Sequence, residues 1–205
     1  MLLSELESEL KMQFPEKFHK IYDSGAMKWL ELSESELHQN LDDYLQDSGA
    51  FLNLNGLEPL LFDQIPERIS HMEQWFFGYL EKEHDFIRRK DIKLIPFAQI
   101  SCVDVYCFLY EENLKEPKIV LWWHDEDMPV LIANDFDEFL YNIMICSAYN
   151  EEDIHGENWN THYKFLSEAY QKKIDSIPEE DLPYEEENNM HSAVNIWEQW
   201  RKILS

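Results

Sequence analysis

The residues most able to do chemistry lie in the stretch IVLWWHDEDMPVLIANDF, residues 119–136, where His124, Asp125, Glu126 and Asp127 follow two tryptophans. An imidazole beside three carboxylates has the donor types for a metal ion or for a general acid/base pair. Their spacing argues against a metal, because such sites draw ligands from separated elements with supporting partners, and consecutive residues on one turn cannot all face one ion. The spacing of a calcium loop is absent as well. If KIVLWWH is a strand and PVLIA the next, residues 125–128 are the connection, and polar turn formers suffice there. A third reading is an acidic loop that touches a protein partner. The residues alone leave all three open.

Successive strand side chains alternate, so Trp122 and Trp123 point to opposite faces. One belongs to a core, and the other is a packed aromatic or an exposed anchor of the kind enriched at interfaces. The same alternation puts Asp104, Tyr106 and Phe108 on one face and Val103, Val105 and Cys107 on the other, and the first face has a polar end suited to a groove. The partner-facing set expected from the sequence is therefore Asp104, Tyr106, Trp122, Trp123, His124, Asp125, Glu126 and Asp127. Elsewhere, His155 and His162 share a helical face only if a helix already begins by residue 155, and His19 and His71 sit on amphipathic helices as solvated or hydrogen-bonded residues. There is no G-x-S-x-G, no phosphate-binding glycine loop, no H-E-x-x-H and no dinucleotide fingerprint. Five glycines leave little material for backbone cradles around a nucleotide. No nucleophile, base and oxyanion donor assemble, so the expectation is a binding protein rather than an enzyme, with no cofactor and no metal.

The elements that must position these residues follow from periodicity. Leu3, Leu6 and Leu10, then Phe14, Phe18, Ile21 and Tyr22, recur at helical spacing, with Pro15 placed to begin the second helix and Gly25 to end it. Ser33 and Glu36 have capping-box spacing ahead of Leu37, Leu41 and Tyr44. FLNLNGLEPLLF, residues 51–62, reads as extended chain broken by an Asn-Gly turn. Pro66 opens a helix whose apolar face runs through Ile69, Met72, Trp75, Phe76, Tyr79 and Leu80 to about Glu83. Strands are expected at 92–97, 103–110, 118–124 and 129–133, each rich in β-branched and aromatic residues, and their short connections favour an antiparallel meander. Asn134 is placed as the N-cap of a closing helix, with Asp137 at its third position and Phe136, Phe139, Leu140, Ile143 and Met144 buried. The layout is α+β. Residues 1–150 form the main domain, and residues 151–205 form an acidic helical extension. In it Trp159, Tyr163, Leu166, Tyr170 and Ile174 repeat at helical spacing, and a last helix carries Met190, Val194, Trp197 and Leu204. So much aromatic surface must be buried, against the main domain in the first instance.

Forty-two acids against 17 bases leave a net charge of −25. That field repels phosphate backbones and anionic lipids and steers basic partners inward. Neither direct nucleic-acid binding nor membrane binding is expected. Cys102, Cys107 and Cys146 are odd in number, lack a C-x-x-C pair and lie in apolar runs, which suggests a reducing cytoplasm. The start of the chain has no basic, continuously apolar leader, and no run approaches the ~20 apolar residues of a membrane span.

The set of motifs resembles the SUKH superfamily, which includes the yeast Smi/Knr cell-wall assembly regulators and many bacterial immunity proteins. The residues that carry the resemblance are Phe14-Pro15 in FPEKFHKIY, Ile95-Pro96-Phe97-Ala98, Asp104 to Phe108, Trp122 to Asp125, and Phe136 to Leu140, in matching order over about residues 10–145. One departure is Gln99 to Val103, where members often carry a glycine pair; residues with a Cβ resist positive φ, so this connection is expected to bend differently. The resemblance implies a mainly antiparallel sheet of about four to six strands packed with N-terminal, middle and closing helices. It also implies an immunity protein that binds and blocks a polymorphic toxin, many of which are nucleases with basic clefts. The alternative it allows is a regulatory scaffold that binds a cellular partner. Either would act as a monomer or homodimer.

Overall fold

Strand β3 (Asp104–Glu111) is the centre of an antiparallel meander that runs in chain order: β1 (Glu58–Pro59), β2 (Ile92–Ile100), β3, β4 (Lys118–Trp122) and β5 (Val130–Ala133). The computed structural model describes residues 1–39, 57–74, 91–100, 104–112, 114–123, 129–150 and 157–177. Helices α1 (Leu3–Leu10), α2 (Glu16–Asp23), α3 (Ile65–Met72), α4 (Phe136–Asn150), α5 (Glu157–Tyr163) and α6 (Glu168–Asp175) surround the sheet, with a 3₁₀ turn at Lys28–Glu31. The fold is α+β with a five-stranded antiparallel sheet.

The sheet is covered on both sides. One face carries Ile95, Phe97, Tyr106, Phe108, Ile119 and Leu121 into a core shared with α1, α2 and α4. The other gathers Ile92, Leu94, Val105, Cys107, Leu109, Val120 and Trp122 against Met72 of α3. A strand buried on both sides reads as a continuous apolar run rather than an alternating one, which is why VDVYCFLY has no polar phase after Asp104. The face expected to end in a groove is therefore interior: Tyr106 packs edge-on to Phe139, with ring centroids 5.4 Å apart.

Phe108 is the hub of the larger core. Its ring stacks on Phe97 at 4.3 Å and meets Phe14, Phe18 and Phe136 at 5.5–5.9 Å. The stack depends on an irregularity in β2. Pro96 pairs with Cys107 and Ala98 with Tyr106, so Phe97 is the extra residue of a bulge, at a place where a proline does not break the ladder.

The helix ends follow local chemistry. Pro15 occupies the position just before α2, and Gly25 turns the chain out of it at φ +94°, a conformation glycine adopts without strain. Ser33 and Glu36 form the capping box: Ser33 N–H donates to Glu36 Oε2 at 2.8 Å and Glu36 N–H to Ser33 Oγ at 3.4 Å. The cap of α4 is shifted by one from the Asn134 expected. Asp135 Oδ1 accepts from Glu138 N–H at 2.8 Å, while Glu138 Oε2 reaches back to Asn134 N–H at 2.7 Å. Glu138 rather than Asp137 does the capping, because the helix begins at Phe136 and Glu138 holds its third position.

That shift frees Asp137 for a different task. Its Oδ1 accepts from Lys17 Nζ of α2 at 2.7 Å and from Ser167 N–H, at the start of α6, at 3.1 Å. Behind this staple, Trp159 and Leu166 enter the main core, and Tyr170 stacks on Tyr141 at 4.8 Å with Lys173 over both rings. His162 is fully buried within α5. Helices of 7 and 8 residues are not stable alone, so these contacts hold the segment in place. Asp137→Ala should cost about 1–2 kcal/mol and accelerate amide exchange in residues 157–177 more than in the strands, which hydrogen-exchange mass spectrometry resolves.

The strands expected at 92–97, 118–124 and 129–133 occur as β2, β4 and β5; the last two are shorter, and β2 extends to Ile100. Residues 40–56, 75–83 and 178–205, to which part of a helix stripe, the Asn-Gly turn, the end of the Pro66 helix and the last tail helix were assigned, lie outside the described residues.

Candidate partner-binding surface

Asp104, Tyr106 and Trp122 are interior residues, with relative exposures of 5%, 2% and 0%. Register explains the separation: Val105 pairs with Trp122 and Tyr106 with Leu121, so Trp122 shares a face with Val105 and Cys107, opposite Tyr106. Trp123 lies just past the end of β4, half-buried and packed against the larger core. His124, Asp125, Glu126 and Asp127 lie outside the described residues. Of the expected set, Trp123 has its surface partly open among the described residues.

The structure brings together a set of acids that sequence reading did not group. Glu116 in the β3–β4 connection feels the carboxylates of Glu16, at the start of α2, and Asp135, just before α4, and Asp135 joins Asp137 and Glu138 in acting on Tyr170 of α6. Glu116 shows it: burial first, then the carboxylates of Glu16 and Asp135, push it above the ordinary carboxylate range, with Lys20 opposing. Tyr170 shows it from the other side, its phenol pushed up to about 12 by burial and then by Glu138, Asp135 and Asp137. The signal in the sequence was the placement of acids at helix starts, where the dipole favours them. What brings two helix starts to one corner is tertiary. Cations thread this corner: Lys17 on Asp137, and Lys20 on Glu16 at 2.6 Å.

Glu116 gives a sign that can be tested. A carboxyl whose folded pKa is raised destabilises the fold when ionised; that cost is absent below the unfolded value of 4.5 and full above the folded one. Glu116→Gln should therefore be slightly more stable than the parent at pH 7, by under about 0.5 kcal/mol after solvent screening. The two should converge as pH falls below about 4, as urea titrations across that range would show.

The histidines expected to be structural are so placed. His19 Nε2 lies 2.7 Å from Glu7 Oε1, and His71 Nε2 lies 3.7 Å from Glu67 Oε1. Cys107 is fully buried beside Met72, and burial pushes its thiol far above the usual range. A thiol so held is inert as a nucleophile. Among the described residues no group of three potential ligands could hold a metal ion, and no helix is long and apolar enough to cross a membrane.

No curated protein and no solved structure gives a significant match. The model of the SMI1 / KNR4 family (SUKH-1) matches residues 2–142, from the first helix through the first turns of α4, so the whole meander and the acidic corner fall within it. The chain belongs to the SMI1 / KNR4 family, SUKH-1.

Proposed function

We infer that this chain is a non-enzymatic binding protein that neutralises a basic bacterial toxin domain by occupying the surface the toxin uses on its own substrate. The observation that carries the reading is a net charge of −25 on a chain whose residues 2–142 match a family that includes immunity proteins. A nuclease must gather phosphates and presents a basic cleft, and an acidic protein competes for that cleft. The charge that suits it to such a partner also repels nucleic acid and anionic membranes. A binding role is also supported by the buried Cys107 thiol and Tyr106 phenol, both of which burial pushes toward their neutral forms.

The test is co-expression with the toxin domain encoded beside it, followed by co-purification. The expected result is restored growth together with a one-to-one complex. Growth arrest with no complex would remove the reading, and capture of a cellular partner without protection would favour a regulatory scaffold. Turnover of a substrate by the purified chain would place it among enzymes instead.

A further inference from the structure

Helices α5 and α6 are attached to the main domain very unequally. Trp159 and His162 of α5, and Leu166 just after it, are buried. In α6 no residue is buried, and Tyr170 and Ile174 are half-buried. A helix of eight residues without a buried face belongs to the low-stability end of a fold, the part that opens first.

The contacts that hold α6 are few and specific. Toward α4, Ser167 N–H donates to Asp137 Oδ1 at 3.1 Å, and the Tyr170 ring lies on that of Tyr141 with centroids 4.8 Å apart. The Lys173 ammonium is 4.5 Å from the Tyr170 centroid and 5.5 Å from that of Tyr141, within cation–π distance of both. Toward α5, Gln171 Nε2 donates to the Tyr163 carbonyl at 3.0 Å, and Tyr163 O–H donates to Asp175 Oδ1 at 2.7 Å. Lys172 pairs with Glu168 in solvent.

The hold that α6 has on α4 displays what that surface recognises. A ring lies on Tyr141, an ammonium lies over the ring pair, an N–H meets Asp137, and the carboxylates of Glu138, Asp135 and Asp137 reach the Tyr170 phenol. A segment of a basic protein offers the same groups to an acidic, aromatic face. The family match ends at residue 142, so Asp137 and Tyr141 lie inside it and α6 outside. We propose that α6 is a removable cover on an interaction surface: it swings away about Ser167 while α5 stays docked, and a lysine- or arginine-bearing segment of the basic partner takes its place on Tyr141 and Asp137. The cover is then the partner's competitor within the same chain, and the apparent affinity is lowered by the fraction of time the surface is closed. A weak cation does not displace it, whereas a strongly basic segment does, so the cover sharpens selectivity. This rests on the reading of the chain as a binder of a basic protein.

The test reads the cover in the full chain, first alone and then against a copy of itself in trans. In the free protein, amides 171–175 should be at least about tenfold less protected from hydrogen exchange than amides 161–163. The peptide acetyl-SEAYQKKIDSI-amide reproduces residues 167–177. It should bind Tyr170→Ser/Lys173→Ser, whose own cover is loosened, at least about tenfold more tightly than the parent, where the tethered copy competes at high effective concentration. The ¹⁵N shifts of residues 136–142 follow the binding. The same peptide with glutamate at both lysines should not bind, and adding Tyr141→Ala to the loosened variant should abolish binding of the original. Should the double variant fold poorly, Lys173→Ser alone replaces it, with the thermal midpoint recorded beside each titration. In the complex with the toxin domain encoded beside the chain, residues 168–175 should lose protection as residues 136–141 gain it. Equal protection of the two helices, equal peptide binding by parent and loosened variant, or a gain of protection by α6 in the complex would overturn the proposal. Absence of any complex removes neutralisation, and the exchange and peptide arms still decide for or against the cover.

Discussion

Phe108→Ala should cost about 3–5 kcal/mol of folding stability, a large share of the roughly 5–15 kcal/mol of an ordinary domain. The ring is fully buried and meets Phe14, Phe18, Phe97 and Phe136, from α2 and the turn before it, from the bulge of β2 and from the first turn of α4. Truncation removes the transfer free energy of a phenyl group and leaves a cavity whose walls are other rings. Those walls belong to three different elements, and one of them, Phe97, is held by a backbone bond from Leu60 N–H to its carbonyl at 2.9 Å. Such a site cannot collapse to refill the space, which places the cost at the upper end of the range. Phe108→Leu, which keeps most of the volume, should cost less than half as much. Urea unfolding of the three proteins, with a common m value, measures the difference. Equal midpoints for parent and alanine variant would mean that the hub is not where the fold's stability resides.

How far this hub was legible in the sequence depended on the kind of information needed. The apolar runs at 92–97 and 118–122 name their strands, because bulky β-branched and aromatic residues bounded by polar turns have no better solution. The run 103–110 also reads as a strand, but its period misleads. Asp104 and Tyr106 suggested a polar end, whereas a central strand covered on both faces buries even its polar residues, and Asp104 is 5% exposed. Which strand is central is a property of the whole sheet and does not appear in any window of residues. The cap of α4 was displaced by one for a local reason. Asn134 and Asp135 are both competent caps and Asp137 and Glu138 both competent partners, so the choice rests on which carboxylate has tertiary work to do. Asp137 has it, in Lys17 and Ser167. The acidic corner assembles from segments a hundred residues apart, and no spacing rule connects Glu16 to Glu116.

The association rate with a basic toxin domain should fall about 10- to 100-fold between low salt and 0.5 M salt, while the dissociation rate changes much less. The argument starts from the field of the whole chain. At −25 the protein attracts a cationic partner over distances of a Debye length, roughly 10 Å at 0.1 M ionic strength, and screening beyond that removes the steering but leaves contacts already made. A landing point can be read by moving charge without touching the core. Glu16→Lys with Glu116→Lys changes the net charge by four, and so does Glu9→Lys with Asp63→Lys; all four are exposed acids. If the corner formed by α2, the β3–β4 connection and α4 is where the partner arrives, the first pair should slow association several-fold more than the second, although both alter the total charge equally. Stopped-flow rates against ionic strength separate the two effects. Equal slowing by both pairs would assign steering to net charge alone, and a rate indifferent to salt would remove electrostatic capture as the means by which this chain finds its partner.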